Sequence, residues 1–107
     1  SIEAGRIVTL DSIPIVIDGL AVKTVGTYNF EVCRVFVDEI VAIDEKEIFA
    51  AVIWIMERCK LVAEGAAAAS VAALLTKAVK PTPGSKVACV LSGGNLNLSA
   101  LRDQVWN

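Results

Sequence analysis

Ser92-Gly93-Gly94-Asn95 is the stretch of this sequence best suited to hold a small molecule. A serine hydroxyl donates to or accepts from a ring heteroatom. Neighbouring glycines carry no Cβ, so backbone can come close to a planar ligand or a phosphate. The same four residues also suit a tight turn that only joins a strand to a helix, and the pattern alone leaves both open. In parallel sheets, ligands bind outside the carboxyl ends of strands, where helix N-termini offer unpaired N–H groups. Ser92 to Asn95 stands at such a place, between the apolar run Lys86 to Leu91 and a helix that Asn97 can cap.

Other chemistries are poorly provided for. The chain has no histidine, which excludes histidine bases and histidine metal ligands within it. Cys33, Cys59 and Cys89 are odd in number, widely spaced and set among apolar residues. That pattern predicts buried thiols in a reducing cytoplasm, with neither a disulfide nor a zinc framework, and no metal ligand is inferred. Lys23, Lys46, Lys60, Lys77, Lys80 and Lys86 read as solvated surface charges, and none is assigned to catalysis. Ten basic against twelve acidic residues give a net charge of −2. The basic residues are scattered, so the electrostatic footprint of a nucleic-acid partner is missing. The apolar stretches Ile48 to Met56 and Gly65 to Leu75 fall short of the ~18 residues of a membrane span.

The elements that must position the turn follow from periodicity. Ile13 to Ile17 is either a short strand or, through Ser12-Ile13-Pro14, a capped first helical turn. Phe30, Cys33 and Val37 recur at helical spacing and predict a helix from about Asn29 to Asp38, followed by a strand from Glu39 to Ile43. Asp44 with Glu47 fits a reciprocal N-terminal cap, and Ile48, Ala51, Val52, Ile55 and Met56 form one stripe of a helix ending near Lys60. After a joint at Leu61 to Glu64, the Ala-rich stretch Gly65 to Val79 predicts a helix with Val71, Leu74, Leu75 and Ala78 on one face. Pro81 and Pro83 stop it. Lys86 to Leu91 predicts a strand, and Leu98, Leu101 and Val105 a last helix.

Short apolar strands alternating with helices argue for an α/β fold, a parallel sheet with helices on both faces. Two or three strands make only part of such a sheet. A chain of 107 residues buries a little over ~60% of its unfolded surface. Its apolar share of 55% and mean hydropathy of +0.63 are high for that size, so part of the apolar surface is expected to meet further protein. The opening at Ser1 without methionine likewise predicts a fragment or a processed product.

Four motifs run in order along the whole chain. They are Ile17-Asp18-Gly19-Leu20-Ala21-Val22-Lys23 with Val25-Gly26, Val37-Asp38-Glu39-Ile40-Val41, Leu61-Val62-Ala63-Glu64-Gly65-Ala66, and Val90-Leu91-Ser92-Gly93-Gly94-Asn95. Taken together they resemble the C-terminal third of the pyridoxal-phosphate dependent threonine and serine dehydratases, the fold type II group that includes serine racemase. The resemblance implies that residues 1–107 are one segment of the large, tryptophan synthase β-like domain, whose cofactor is pyridoxal 5'-phosphate. The implied activity is elimination of water from L-threonine or L-serine, giving a 2-oxo acid and ammonia. The implied partners are the N-terminal remainder of the same enzyme, the amino-acid substrate and further copies of the chain, since family members are commonly dimers or tetramers.

In that family the serine matching Ser92 hydrogen-bonds the pyridine nitrogen. The resemblance further implies cofactor-binding positions at Gly19, Glu64 and Gly93. Gly19 also reads as a turn glycine with positive φ after Asp18, and Glu64 as an acid favoured by a helix dipole. Two positions depart from the family pattern. Ala67 stands in place of the second glycine of Glu-Gly-Ala-Gly-Ala, adding a methyl near the implied pocket, and Asn97 stands where aspartate is common. The lysine that binds the cofactor covalently, the substrate carboxylate loop and the phosphate cradle belong to the family's N-terminal portion, so this chain alone is expected to be inactive. A noncatalytic interaction or regulatory module that kept the fold is the alternative. A nucleotide-binding half-domain using Gly93-Gly94 is a third.

Overall fold

Ile48, Ala51, Val52 and Ile55 recur every three or four residues, and in the computed structural model, which describes residues 1–106, they form the buried face of a helix. This helix, α2 (Glu45–Cys59), follows α1 (Thr27–Phe36) and precedes α3 (Gly65–Leu75) and α4 (Leu98–Val105). A 3₁₀ turn at Asp18–Leu20 stands ahead of all four. Ser1–Ile40 forms one unit and the chain from Val41 onward another.

In the second unit α2 packs against both α3 and α4. Its Val52 and Ile55 are sealed from solvent, as is Leu101 of α4. Burying an aliphatic side chain of this size contributes about 1.5–3 kcal/mol. On α3 the buried face differs from the expected one. Gly65, Ala67, Ala68, Ala72 and Ala73 are buried, while Val71 and Leu74 are half-buried and Leu75 is exposed. A face of methyl groups lets the α3 backbone approach α2, whose larger side chains then fill the interface.

The ends of α2 combine an expected and an unexpected feature. Asp44 occupies the N-cap position with extended backbone, and its carbonyl accepts from the amides of Glu47 at 3.0 Å and Ile48 at 3.1 Å. Its carboxylate makes no capping bond, so the reciprocal box does not form. Glu45 and Glu47 instead place negative charge in the first turn, where the dipole favours it. At the other end Lys60 takes a left-handed conformation, φ 59°, and its ammonium donates to the Glu57 carbonyl at 2.6 Å. α3 stops at Leu75, short of the expected Val79. There the Thr76 hydroxyl donates to the Ala72 carbonyl at 2.8 Å and Lys77 turns left-handed at φ 60°, so the chain leaves the helix before Pro81 is reached.

In the first unit α1 begins and ends two residues earlier than expected, because Val37 is already extended. Phe30 of α1 and Ile17, ahead of the 3₁₀ turn, are buried in this unit. Ile13 to Ile17 is neither strand nor helix.

Among the described residues no strand is present, and the segments expected as strands, Glu39–Ile43 and Lys86–Leu91, lie outside any ladder. A strand exists only as one side of a hydrogen-bonded ladder, and neither segment has a partner running beside it. Their apolar side chains are correspondingly open to solvent, Ile40 at 65% and Val90 at 74%. The thiols are also less enclosed than expected. Cys59, the last residue of α2, is exposed, and Cys33 and Cys89 are half-buried; all three are free.

Candidate functional site

The Ser92 turn rests on the first half of α3. Glu64, the residue before the helix, donates its amide N–H to the Gly93 carbonyl at 3.1 Å. Its own carbonyl accepts from Ala68 at 3.0 Å, the first bond of the helix. Two turns on, the Ser70 hydroxyl donates to the Val90 carbonyl at 3.2 Å, and the Cys89 thiol lies 3.8 Å from the Ser70 carbonyl it donates to. An extended segment without a ladder is thereby tied to α3 at Cys89, Val90 and Gly93.

Both glycines of the turn are required by close approach. The Glu64 carboxylate lies against Gly93, so that a Cβ there would contact Oε1 and stand 2.9 Å from Cδ. A Cβ on Gly94 would stand 2.7 Å from the Val62 carbonyl oxygen. Such separations are far inside van der Waals contact. Neither glycine has a positive φ, so absent side-chain volume, and not a special backbone conformation, accounts for them. Beyond the turn the Leu96 amide donates to the Gly94 carbonyl at 2.9 Å, and Asn97 Oδ1 accepts from the Ala100 amide at 3.1 Å, capping α4 as its position predicts.

Ser92 itself is exposed, and among the described residues its hydroxyl has no hydrogen-bond partner. It is a neutral donor and acceptor on a tethered backbone, open to a ligand. Ser92, Gly93 and Glu64 are therefore brought together. Gly19 lies in the other unit, exposed at the centre of the 3₁₀ turn, where the Ala21 amide donates to the Asp18 carbonyl at 3.1 Å. Its φ is not positive, contrary to the turn expected after Asp18. The methyl of Ala67 is buried in the chain's own core, with 1% exposure.

A hollow of about 630 Å³ in the first unit, bordered by Phe30, Cys33, Arg34 and Val37, contains none of these residues. Its one guanidinium, that of Arg34, is paired with Glu31 at 2.6 Å. Among the described residues no three metal-ligating side chains converge, and no helix is long and apolar enough to cross a membrane. Sequence reasoning missed Ser70 and Val62. Ser70 carried a signal, as the sole polar side chain between Gly65 and Leu75. Val62 acts through its carbonyl and carried none.

Comparison with known proteins points in one direction. Residues 1–93 match the family described as pyridoxal-phosphate dependent enzymes. An L-threonine ammonia-lyase of Thermotoga maritima is 42% identical over 107 residues, 100% of this chain and 26% of that protein. The biosynthetic L-threonine dehydratase IlvA of Bacillus subtilis is 38% identical over 102 residues, 94% of this chain and 24% of that one. The crystal structure of a T.th. threonine deaminase superposes with a TM-score of 0.74 at 31% identity, covering 91% of this chain and 34% of that chain. The chain thus spans about a quarter of the length of these curated relatives.

Proposed function

Because the chain belongs to the family of pyridoxal-phosphate dependent enzymes, we propose that it is the C-terminal part of the cofactor-binding domain of an L-threonine or L-serine ammonia-lyase. The relatives' names and their match along nearly the whole chain support the activity. Chemistry would belong to the longer polypeptide, with the covalent lysine and phosphate cradle outside residues 1–107. In that polypeptide Glu39–Ile43 and Lys86–Leu91 join a parallel sheet covered by helices on both faces, which accounts for the exposed Ile40, Val87 and Val90. A reducing cytoplasm suits three free thiols.

The observation that carries the site is the exposed hydroxyl of Ser92, without a partner among the described residues, on a turn fastened to α3. This donor set fits the pyridine nitrogen edge of pyridoxal phosphate. Gly93 beside Ser92 lets backbone approach the ring, with Glu64 lying against Gly93, and Gly19 is a further cofactor-binding position that the family pattern implies. Bound pyridoxal phosphate supplies an electron sink for the substrate's α-carbon. Ser92, being neutral, holds the ring nitrogen by a hydrogen bond without placing a charge beside it. A carboxylate in its place would keep a proton on that nitrogen and strengthen the sink. The weaker sink set by a hydroxyl favours prompt loss of the β-hydroxyl group.

The complete polypeptide, purified and mixed with L-threonine or L-serine, tests this. It is expected to carry the absorbance of bound pyridoxal phosphate and to release ammonia and a 2-oxo acid. Ser92→Ala weakens both cofactor retention and elimination. An unchanged spectrum and rate in that variant would remove Ser92 from the site, and a complete polypeptide that binds no pyridoxal phosphate would end the proposal.

A further inference from the structure

Glu64 holds the helix-start position nearest the turn, and its side chain leaves the usual task of that position undone. It makes no capping bond to α3. Instead the carboxylate occupies the space that Gly93 leaves by having no Cβ, while the Glu64 amide holds the Gly93 carbonyl at 3.1 Å. One residue therefore grips Gly93 twice, by backbone and by side chain, next to the only exposed hydroxyl of the turn. The remaining ties, Ser70 to Val90 and Cys89 to Ser70, lie on the far side of Ser92 from Gly93. Ser92 is bracketed between two attachments to the same helix.

We infer that Glu64 is a positioning residue for Ser92, acting through Gly93 by filling the space over its Cα and not by presenting charge to the cofactor. The inference rests on the assignment of Ser92 to the pyridine nitrogen. It requires shape at position 64 and emptiness at position 93. Gly93→Ala displaces the end of the Glu64 side chain, which is flexible, and so loosens the turn in the same way as removing that side chain. Two changes that break one contact do not add.

The test uses the complete polypeptide, stripped of cofactor and titrated with pyridoxal phosphate, with thermal unfolding of each cofactor-free variant alongside. Glu64→Ala is expected to raise the dissociation constant about tenfold, Gly93→Ala by a similar factor, and the double variant by no more than either alone. Glu64→Gln, which keeps the shape without the charge, is expected to stay within about twofold of the parent. Multiplicative losses in the double variant would overturn the inference, as would a Glu64→Gln loss equal to that of Glu64→Ala, which would assign the carboxylate charge to the cofactor. If Gly93→Ala fails to fold, the comparison of Ala with Gln at position 64 decides alone. A parent protein that binds no pyridoxal phosphate would instead fail the functional assignment, a result distinct from either.

Discussion

Ser70 donates its hydroxyl to the Val90 carbonyl at 3.2 Å and accepts from the Cys89 thiol at its own carbonyl, 3.8 Å away. A single residue of α3 thus holds two successive residues of the segment leading to Ser92. Its side chain stands alone among alanines and aliphatics, so no neighbour on the helix can take over the bond.

Ser70→Ala is expected to destabilise the complete polypeptide by about 0.5–1.5 kcal/mol, the net worth of one hydrogen bond. Denaturant unfolding measures this directly. Ser70→Thr keeps the hydroxyl and should recover part of the loss.

The two glycines of the turn should respond unequally. At Gly93 the obstacle to a methyl is the end of the Glu64 side chain, which can swing aside; at Gly94 it is the Val62 carbonyl, 2.7 Å away and part of the backbone. Gly94→Ala is therefore expected to cost about 1–3 kcal/mol, the range of overpacked sites, and Gly93→Ala distinctly less. Thermal unfolding of the pair ranks them, and the reverse order would contradict the packing described.

Asn97 caps α4 through its side-chain oxygen, accepting from the Ala100 amide at 3.1 Å. Asn97→Ala is expected to cost about 1 kcal/mol, whereas Asn97→Asp retains an acceptor and adds a charge that the helix N-terminus favours. Unfolding free energies of the two variants should separate accordingly.

Lys77 adopts φ 60° just after α3, a conformation that costs an L-residue about 1–2 kcal/mol and glycine almost nothing. Part of that gain is lost to the freer unfolded chain. Lys77→Gly is expected to raise stability by about 0.5–1 kcal/mol, read as a higher unfolding midpoint.

How much of this was legible beforehand depends on the range of the interactions involved. Helices bond residue i to residue i−4, so the stripe from Ile48 to Ile55 and the cap at Asn97 announced α2 and α4 from their own neighbourhoods. Strands need a second chain segment, and the β-branched runs at Glu39–Ile43 and Lys86–Leu91 could not show whether one was beside them. The Ala-rich run announced a closely packed helix. It did not reveal that the methyl face, and not Val71, Leu74 and Leu75, would be the buried one.

At the turn, residue types by themselves determined that Ser92 offers a neutral hydroxyl beside backbone without side chains, and the order of motifs along the chain determined the family. Only the tertiary structure decided why two glycines follow Ser92. Gly93 makes room for the Glu64 carboxylate and Gly94 for the Val62 carbonyl, both brought in from about thirty residues earlier. Steric exclusion of that kind depends on where distant atoms come to rest, and no local pattern of residues records it.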